Sequence, residues 1–234
     1  MRTVGVIGGL GPETTAKFYK EVFFGCQKKN PLVKPHILIA SVPLPFEIEH
    51  TALLKNEGVE RFLPYLLAEA HRLEKAGADF IVMPCNSLHI FIQEIRASVH
   101  IPVLSIIEET ADFLVAKAIK RTGIISTSMT AHNRLYEKEL HKRGMECVTP
   151  NEVQQAELNH IVFRLVNGEK QEKDRQLLLE ITRTLKGAEC ILLACTDLQL
   201  LHLELPDMDM YDTMRILANA TQREILKNGN AKNI

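Results

Sequence analysis

Two cysteines occupy matching places in the sequence, and each could transfer a proton. Cys85 and Cys195 each follow an apolar stretch of strand length and precede polar residues. Where a strand runs into a helix, the positive end of the helix dipole and unpaired N–H groups favour the thiolate over the thiol. We therefore expect the pKa of both thiols to lie below its ordinary value, and we predict both residues as catalytic.

An internal repeat pairs these cysteines with each other. Residues 75–88 and 185–198 share an acidic residue, an apolar strand, a cysteine and then polar residues, in the same order. A second match relates residues 3–9 and 18–21 to residues 122–127 and 135–138. A repeat predicts two similar α/β units, with a ligand at the carboxyl ends of the strands, where both cysteines fall. The alternative is an accidental similarity, because many strand-to-helix segments look alike.

Two thiols on opposite sides of one bound amino acid could invert its α-carbon. One cysteine, as the thiolate, would remove the α-proton while the other, as the thiol, delivers a proton to the opposite face. Donors held around the substrate carboxylate would stabilise the carbanion that develops. This chemistry needs no pyridoxal group, so we predict an amino-acid substrate and no cofactor.

Polar residues directly after each cysteine could hold the substrate. Asn86 and Ser87 follow the first cysteine, and Thr196 and Asp197 follow the second. Side chains of these types cap helix starts and bind anions together with backbone N–H groups. We predict all four as substrate-binding residues, with a carboxylate held near them.

Two further segments fall at the other matching strand ends of the repeat. Residues 8–12 read Gly-Gly-Leu-Gly-Pro and fit neither the glycine pattern nor the lysine of nucleotide-binding loops. Their glycines either let the backbone approach a small ligand or make a tight turn, and Gly11 is the predicted ligand contact. In the segment Ser126-Thr127-Ser128, Thr127 is predicted to bind the substrate, the alternative being an ordinary helix cap.

The other cysteines and two histidines are assigned no chemistry. Free cysteine is one of the most buried residue types, so Cys26, Cys147 and Cys190 are interpreted as core residues. His89 and His160 lie in helical patterns, where a packed or solvent-facing histidine is commoner than a ligand. An odd count of 5 cysteines without a CxxC pair argues against a disulfide framework and a structural zinc site, so no metal is predicted.

The composition argues against several classes of partner. The 234 residues carry 28 Lys and Arg against 29 Asp and Glu, a formal net charge of −1. This balance offers no basic field for nucleic acid or an anionic membrane. The apolar stretches are far shorter than the roughly 20 residues of a spanning helix, and the N-terminus lacks the apolar core of a signal peptide. We therefore expect a cytoplasmic protein.

Short β-type runs alternate with longer helical patterns along the whole chain. Among them are predicted helices near residues 87–98 and 108–120, with a strand at residues 103–106 between them. Such alternation predicts an α/β fold with parallel sheets that helices cover on both faces.

The repeat divides this fold into two pseudo-symmetric domains that face each other across a cleft. We predict that residues 1–98 and 212–234 form the first domain and residues 99–211 the second. A last helix near residues 213–227 would then pack back on the first domain. The active site is expected in the interdomain cleft, because both cysteines lie at strand ends.

Three motifs together resemble the aspartate/glutamate racemase family, and the resemblance covers essentially the whole chain. They are Gly8-Gly9-Leu10-Gly11-Pro12 with Thr15, Pro84-Cys85-Asn86-Ser87, and Ala194-Cys195-Thr196-Asp197. The resemblance implies two Rossmann-like domains, a site in the cleft between them, and cofactor-independent racemization by the cysteine pair. It also implies a homodimer, which is the common assembly in this family.

Two departures from the family pattern bear on the substrate. Relatives that racemize aspartate commonly carry an arginine in the loop after the second strand, where this sequence has Glu47. Many relatives carry a lysine where Glu157 stands here. Acidic walls would favour a cationic or polar amino acid over an acidic one, so Glu47 is predicted to contact the substrate. The alternative is that Glu47 points to solvent.

Other functions are compatible with the same residues. A hydantoin racemase, a maleate isomerase or an arylmalonate decarboxylase would use one or two cysteines on this architecture. A non-catalytic amino-acid-binding protein would keep the cleft without turnover. A redox-active dithiol is a further alternative, and a disulfide between Cys85 and Cys195 would refute the proton-transfer mechanism.

Overall fold

The structure is a computed structural model. It describes residues 1–32, 34–55, 57–203 and 205–227, apart from the side chains of residues 53–55. Residues 228–234 of the predicted first domain therefore lie outside the described residues. Within the described ranges, no helix combines the length and apolar character that crossing a membrane would need.

Strands and helices alternate through the first half of the chain, as the sequence predicts. The elements are β1 (Val4–Gly8), α1 (Pro12–Lys29), β2 (Ile37–Ser41), α2 (Phe46–Lys55), α3 (Leu63–Lys75), β3 (Phe80–Val82), α4 (Ile92–Ser98) and α5 (Ile106–Ala116). Short 3₁₀ helices at Val59–Phe62 and Ser87–Phe91 precede α3 and α4. The predicted helix near residues 87–98 is thus divided between a 3₁₀ helix and a short α-helix.

The second half repeats this alternation. Its elements are β4 (Arg121–Ser126), α6 (Ser128–His132), α7 (Leu135–His141), β5 (Glu146–Val148), α8 (Glu152–Val166), α9 (Glu172–Thr184), β6 (Cys190–Ala194), β7 (Asp209–Asp212) and α10 (Thr213–Leu226). A 3₁₀ helix at Leu198–Leu201 follows β6, as Ser87–Phe91 follows β3. Both cysteines therefore precede a short 3₁₀ helix.

The prediction of a strand at residues 103–106 is wrong, because the structure has only a single β-bridge there. Val103 forms one parallel bridge with Ile81, and α5 already begins at Ile106. The Ser105 hydroxyl oxygen accepts the N–H of Glu108 and caps this helix. The chain therefore turns into a helix where a strand was predicted.

Both sheets are parallel and have the same strand order. β1 lies between β2 and β3 in a 3-stranded sheet, and β4 lies between β5 and β6 in a 4-stranded sheet with β7 at its edge. Gly5 is paired with Ile81, and Gly123 is paired with Ile191. Ile81 and Ile191 match in the repeat, so the pseudo-symmetry predicted from the sequence is present in the two sheets.

Helices cover both faces of each sheet. β1 and β6 are buried along their whole length, as parallel strands covered on both faces must be. One buried cluster joins side chains of β1, β3, β4 and β6 to α1, α5 and α10, and it includes Cys26 and Cys190. Both cysteines are thus core residues, and Cys147 packs against the same cluster.

The last helix packs back on the first half of the chain. α10 packs against both α1 and α5, and the Gln222 amide donates a hydrogen bond to the Glu21 carbonyl oxygen at 3.1 Å. β7, which leads into α10, is nevertheless paired with β6 of the second sheet. The chain therefore crosses between the two units here, while the predicted domain boundaries stay a prediction.

A side chain at Gly123 would overpack the second sheet. A Cβ added there would lie 2.7 Å from Cδ1 of Ile191 and 3.0 Å from Cδ1 of Leu185. We expect Gly123→Ala to lower the free energy of unfolding by about 1–3 kcal/mol, measured by urea denaturation. Ile191→Val removes the nearer methyl group, so the double variant should lose less than the two single variants combined. Strictly additive losses would contradict this packing.

Candidate active site

The carboxyl ends of four strands open on one cavity. Leu10 follows β1, Cys85–Leu88 follow β3, Thr127 follows β4 and Cys195–Asp197 follow β6. The other lining residues are Glu49, Ala52, Phe62, Met129, Val162 and Val166. The structure therefore brings together both predicted catalytic residues and most of the predicted binding residues, namely Asn86, Ser87, Thr127, Thr196 and Asp197.

The two cysteines have similar surroundings. The backbone N–H groups of Ser87 and Leu88 favour the thiolate of Cys85, and those of Asp197 and Leu198 favour the thiolate of Cys195. Both cysteines are free thiols. The structure therefore has no disulfide between them, and each sulfur lies where backbone donors could support a thiolate.

The expectation of a depressed pKa for these thiols is wrong in the ligand-free protein. Burial raises the pKa of Cys85 to about 12 and outweighs the two N–H groups, while the Asp197 and Glu49 carboxylates add to the increase. Burial, followed by the negative charge of Asp197, also raises the pKa of Cys195 well above its ordinary value. A short 3₁₀ helix after each cysteine provides only a few aligned peptide dipoles, so it cannot offset the loss of water.

Asp197 is a buried carboxylate that contacts both halves of the molecule. The Thr14 hydroxyl of α1 donates to its Oδ1 atom at 2.7 Å, and its Oδ2 atom lies 4.0 Å from Sγ of Cys195. Burial raises the pKa of Asp197 to about 6. A Cβ at Gly11, whose φ is +105°, would lie 2.8 Å from Oδ1. Gly11 therefore makes room for this carboxylate, and direct contact between Gly11 and the substrate stays a prediction.

Asn86 connects the two halves through both ends of its amide. Its Oδ1 atom accepts a hydrogen bond from the Tyr136 hydroxyl, and its Nδ2 atom donates to the Thr213 hydroxyl at 3.0 Å. The Thr213 hydroxyl in turn donates to the Leu193 carbonyl oxygen at 3.0 Å. Asn86 thus fixes the loop of Cys85 against the second unit, and one amide N–H is left for a ligand.

Hydroxyl groups from both halves meet beside the cavity, which Ser87 and Thr127 line. The Ser87 hydroxyl lies 2.8 Å from that of Thr127 and 3.2 Å from that of Thr130. Thr127 also caps α6 by accepting the Thr130 N–H. Thr127 therefore caps a helix and lines the cavity, while substrate binding by Thr127 stays a prediction.

The structure does not bring Glu47 into the cavity. Its carboxylate is exposed and forms an ion pair with Arg61 at 2.6 Å, and Glu157 is exposed on α8. Glu49 lines the cavity instead. Residues two apart on a helix point about 200° apart, so the side chains of α2 at these two positions face opposite directions.

His89 is a structural residue beneath Cys85. Its Nδ1–H donates to the Cys85 carbonyl oxygen at 2.7 Å, and its Nε2 accepts the Ile106 N–H at 3.1 Å, which fixes the neutral tautomer. Burial lowers its pKa to about 4. Within the described chain, no group of three or more His, Cys, Asp or Glu residues could hold a metal ion.

Besides the apolar lining residues, several polar residues of the site were missed from the sequence, among them Thr14, Glu49, Tyr136 and Thr213. Tyr136 lies in a segment that the repeat had singled out, but nothing in that segment, or in the sequence around Thr14, shows a partner far along the chain. A local sequence pattern could have indicated that Glu49 lies on a helix, because Ile48 and Ala52 are spaced as one buried face of a helix. Recognising α2 as a helix would have separated Glu49 from Glu47.

Comparison with known proteins finds one family across the chain. A family model described as Asp/Glu/Hydantoin racemase matches residues 7–221. The broad specificity amino-acid racemase RacX of Bacillus subtilis (strain 168) is 31% identical over 233 residues, which cover 93% of this chain and 96% of the relative.

Two solved structures are also similar along their whole length. A putative Asp/Glu racemase from Yersinia pestis has 27% identity and a TM-score of 0.84, covering 97% of this chain and 100% of its own. An aspartate racemase homologue from Pyrococcus horikoshii OT3 has 27% identity and a TM-score of 0.75, covering 96% and 99%. The fold described above is therefore the fold of these proteins.

Burial of neutral His89 should make the protein sensitive to acid. Its folded-state pKa lies below the unfolded value, so its stabilising contribution is present above about pH 6.5 and is lost as the pH falls towards 4. We expect the wild type to lose about 2 kcal/mol more stability than His89→Gln between about pH 7 and pH 5. Urea denaturation at both pH values measures the difference. Equal losses in the two proteins would contradict the assignment.

The raised thiol pKa values should appear in alkylation rates. Without ligand, we expect iodoacetamide to modify Cys85 and Cys195 slowly at about pH 7, with a rate that increases about tenfold per pH unit up to about pH 9. Peptide mapping by mass spectrometry gives the rate at each cysteine. A rate that levels off between these pH values would show a lowered pKa and contradict this interpretation.

Proposed function

Because this chain belongs to the Asp/Glu/Hydantoin racemase family, we propose that it inverts the α-carbon of an amino acid by proton transfer at Cys85 and Cys195. Racemases are isomerases, so the enzyme class follows from the family. One observation carries the proposed mechanism: cysteines from matched positions of the two half-repeats line the same cavity.

The proposed reaction begins when the substrate brings a positive charge to the thiols. The α-ammonium group would pair with Asp197, whose carboxylate lies 4.0 Å from Sγ of Cys195. A nearby cation lowers the pKa of a thiol, so substrate binding favours release of one thiol proton to solvent. The resulting thiolate is a strong base, because burial keeps its intrinsic pKa high. The raised pKa values of the ligand-free protein are therefore compatible with this role.

Inversion then requires one proton on each face. The thiolate takes the α-proton as an S–H bond forms and the C–H bond breaks, which leaves the electron pair on the α-carbon and its carboxylate. The other thiol gives its proton to the opposite face and becomes the thiolate. The reverse reaction uses the same residues with exchanged protonation states, and no cofactor takes part in the proposed steps.

The α-carboxylate is assigned to the hydroxyl-lined part of the cavity. Ser87, Thr127 and Thr196 all line the cavity and offer hydroxyl groups. Donors placed around the carboxylate stabilise the negative charge that develops during proton removal. Asn86 would position the Cys85 loop and offer its remaining amide N–H, while Gly11 leaves room for Asp197.

The side-chain preference proposed for this enzyme is non-acidic. Among the described residues that line the cavity, the charged ones are Glu49 and Asp197, both acidic. A second carboxylate on the substrate side chain would be repelled in such a site. The contact with the substrate that the sequence predicts for Glu47 is therefore assigned to Glu49.

The cellular setting is also part of the proposal. A homodimer and a cytoplasmic location are what the family resemblance implies, and the near-neutral charge of the chain is compatible with both. Sedimentation of the purified protein would test the homodimer.

Exchange of the α-proton with solvent tests the proposed function. In deuterated water, without added cofactor, we expect a panel of L-amino acids to reveal at least one that gains α-deuterium and inverts. Cys85→Ser and Cys195→Ser should each reduce inversion by about 10²–10⁴-fold, because one of the two proton-transfer groups is lost. Mass spectrometry and chiral chromatography measure the two quantities.

Cys147→Ser is the matched control, because Cys147 packs outside the cavity. Its activity should equal that of the wild type. Deuterium exchange with none of the amino acids would refute the proposed function, and inversion that survives both active-site substitutions would refute the two-cysteine mechanism.

A further inference from the structure

Glu49 is a carboxylate in the cavity for which the proposed proton transfer has no use. It lies on α2, its residue is half-buried, and its negative charge reaches Cys85 strongly enough to raise the pKa of that thiol. Among the side chains that the structure describes, none forms a hydrogen bond or an ion pair with Glu49. Burial and the charge of Asp197 raise its own pKa. A partly buried carboxylate without a cationic partner costs free energy, so a cation that binds there would be stabilised.

The walls around Glu49 are apolar. Ala52 lies one helical turn further along α2, and Phe62 follows from the 3₁₀ helix before α3. Val162 and Val166 of α8 also line the cavity, and α2 packs against α8. An aliphatic stem would fit against these side chains, while a charged end group would not, except at Glu49.

The charges of the cavity match one class of amino acid. A neutral amino acid has one ammonium group, which Asp197 would pair with, and Glu49 would stay uncompensated. An acidic amino acid would bring a side-chain carboxylate, which would be a third one beside those of Glu49 and Asp197. An amino acid with a cationic side chain brings two positive charges to two carboxylates, on an aliphatic stem that suits the apolar walls.

From this arrangement we infer that Glu49 binds the cationic end of the substrate side chain, and that the site selects amino acids such as lysine or ornithine. The inference rests on the proposed function, and it names the substrate class of that same site. Glu49 is a specificity residue in this account and takes no part in proton transfer.

Substrates that differ only at the end of the side chain test the inference. L-Lysine carries an ammonium group on its aliphatic stem, L-norleucine has a similar stem without a charge, and L-2-aminoadipate ends in a carboxylate. We expect the wild type to have its highest kcat/KM for lysine and its lowest for 2-aminoadipate. The measurement is α-deuterium exchange with each substrate.

Glu49→Gln keeps the size and shape of the side chain but removes its charge. It should lower kcat/KM for lysine by about 30–100-fold, because a charge pair in a desolvated site is lost, and leave norleucine within about threefold. Glu47→Gln, on the same helix but exposed, is the matched control and should change neither value by more than about twofold. Thermal unfolding checks that both variants remain folded. Equal losses for lysine and norleucine in Glu49→Gln, or a wild type that prefers 2-aminoadipate, would overturn the inference.

Binding separates failure of this inference from failure of the proposed function. Calorimetric titration of lysine into the Cys85→Ser/Cys195→Ser protein measures affinity without turnover, with and without Glu49→Gln. If the wild type exchanges no α-proton but Glu49→Gln still weakens lysine binding, the proposed function fails and Glu49 keeps its assigned role. If lysine binds neither protein, or binds both equally, the inference is overturned.

Discussion

The enclosure of two thiols and two carboxylates around one cavity, with Cys195 and Asp197 buried and Cys85 and Glu49 half-buried, is the constraint on which the rest of the site depends. Each group is hard to ionise there because its charged form loses water, and the described lining residues supply no cation. In the proposed reaction, the ligand supplies the positive charge. That reaction thus couples substrate binding to thiolate formation, so a strong base arises only when a substrate is present. The same constraint explains why two thiols supported by backbone donors have raised pKa values in the ligand-free protein.

Buried hydrogen bonds that cross between the two halves hold this cavity together. Thr14 of the first half donates to Asp197 of the second, while Tyr136 and Thr213 bind both ends of the Asn86 amide. The imidazole of His89 donates a hydrogen bond to the Cys85 carbonyl oxygen and so fixes the backbone there. Buried polar groups with all their partners in place favour one arrangement strongly, because every alternative leaves a group unpaired. The relative positions of the two thiols therefore follow from these bonds as well as from the strands.

The pseudo-symmetry that relates the two cysteines does not extend to the helices that line the cavity. α2 follows β2 and α8 follows β5, so the two helices hold matching places in the two halves and pack against each other. α2 offers Glu49 to the cavity, whereas α8 offers Val162 and Val166. Proton transfer on two faces suits two similar halves. The proposed recognition of a substrate side chain requires a difference between them, and this pair of helices has such a difference.

The sequence by itself determined the α/β class and the internal repeat, and it showed that the two cysteines occupy matching positions. Strand-to-helix alternation and matched motifs are local patterns, so they can be read without the structure. It also placed both cysteines, the polar residues that directly follow them and Thr127 at the cavity, while the apolar lining residues and Glu49 were not predicted. Only the tertiary structure decided the ionisation of those cysteines, because desolvation depends on everything packed around a thiol and here outweighs the local N–H donors. It likewise decided between Glu47 and Glu49, whose distance along the chain is small but whose directions on α2 differ. The partners of Asp197 and Asn86 come from residues far along the chain, and no local pattern encodes such contacts.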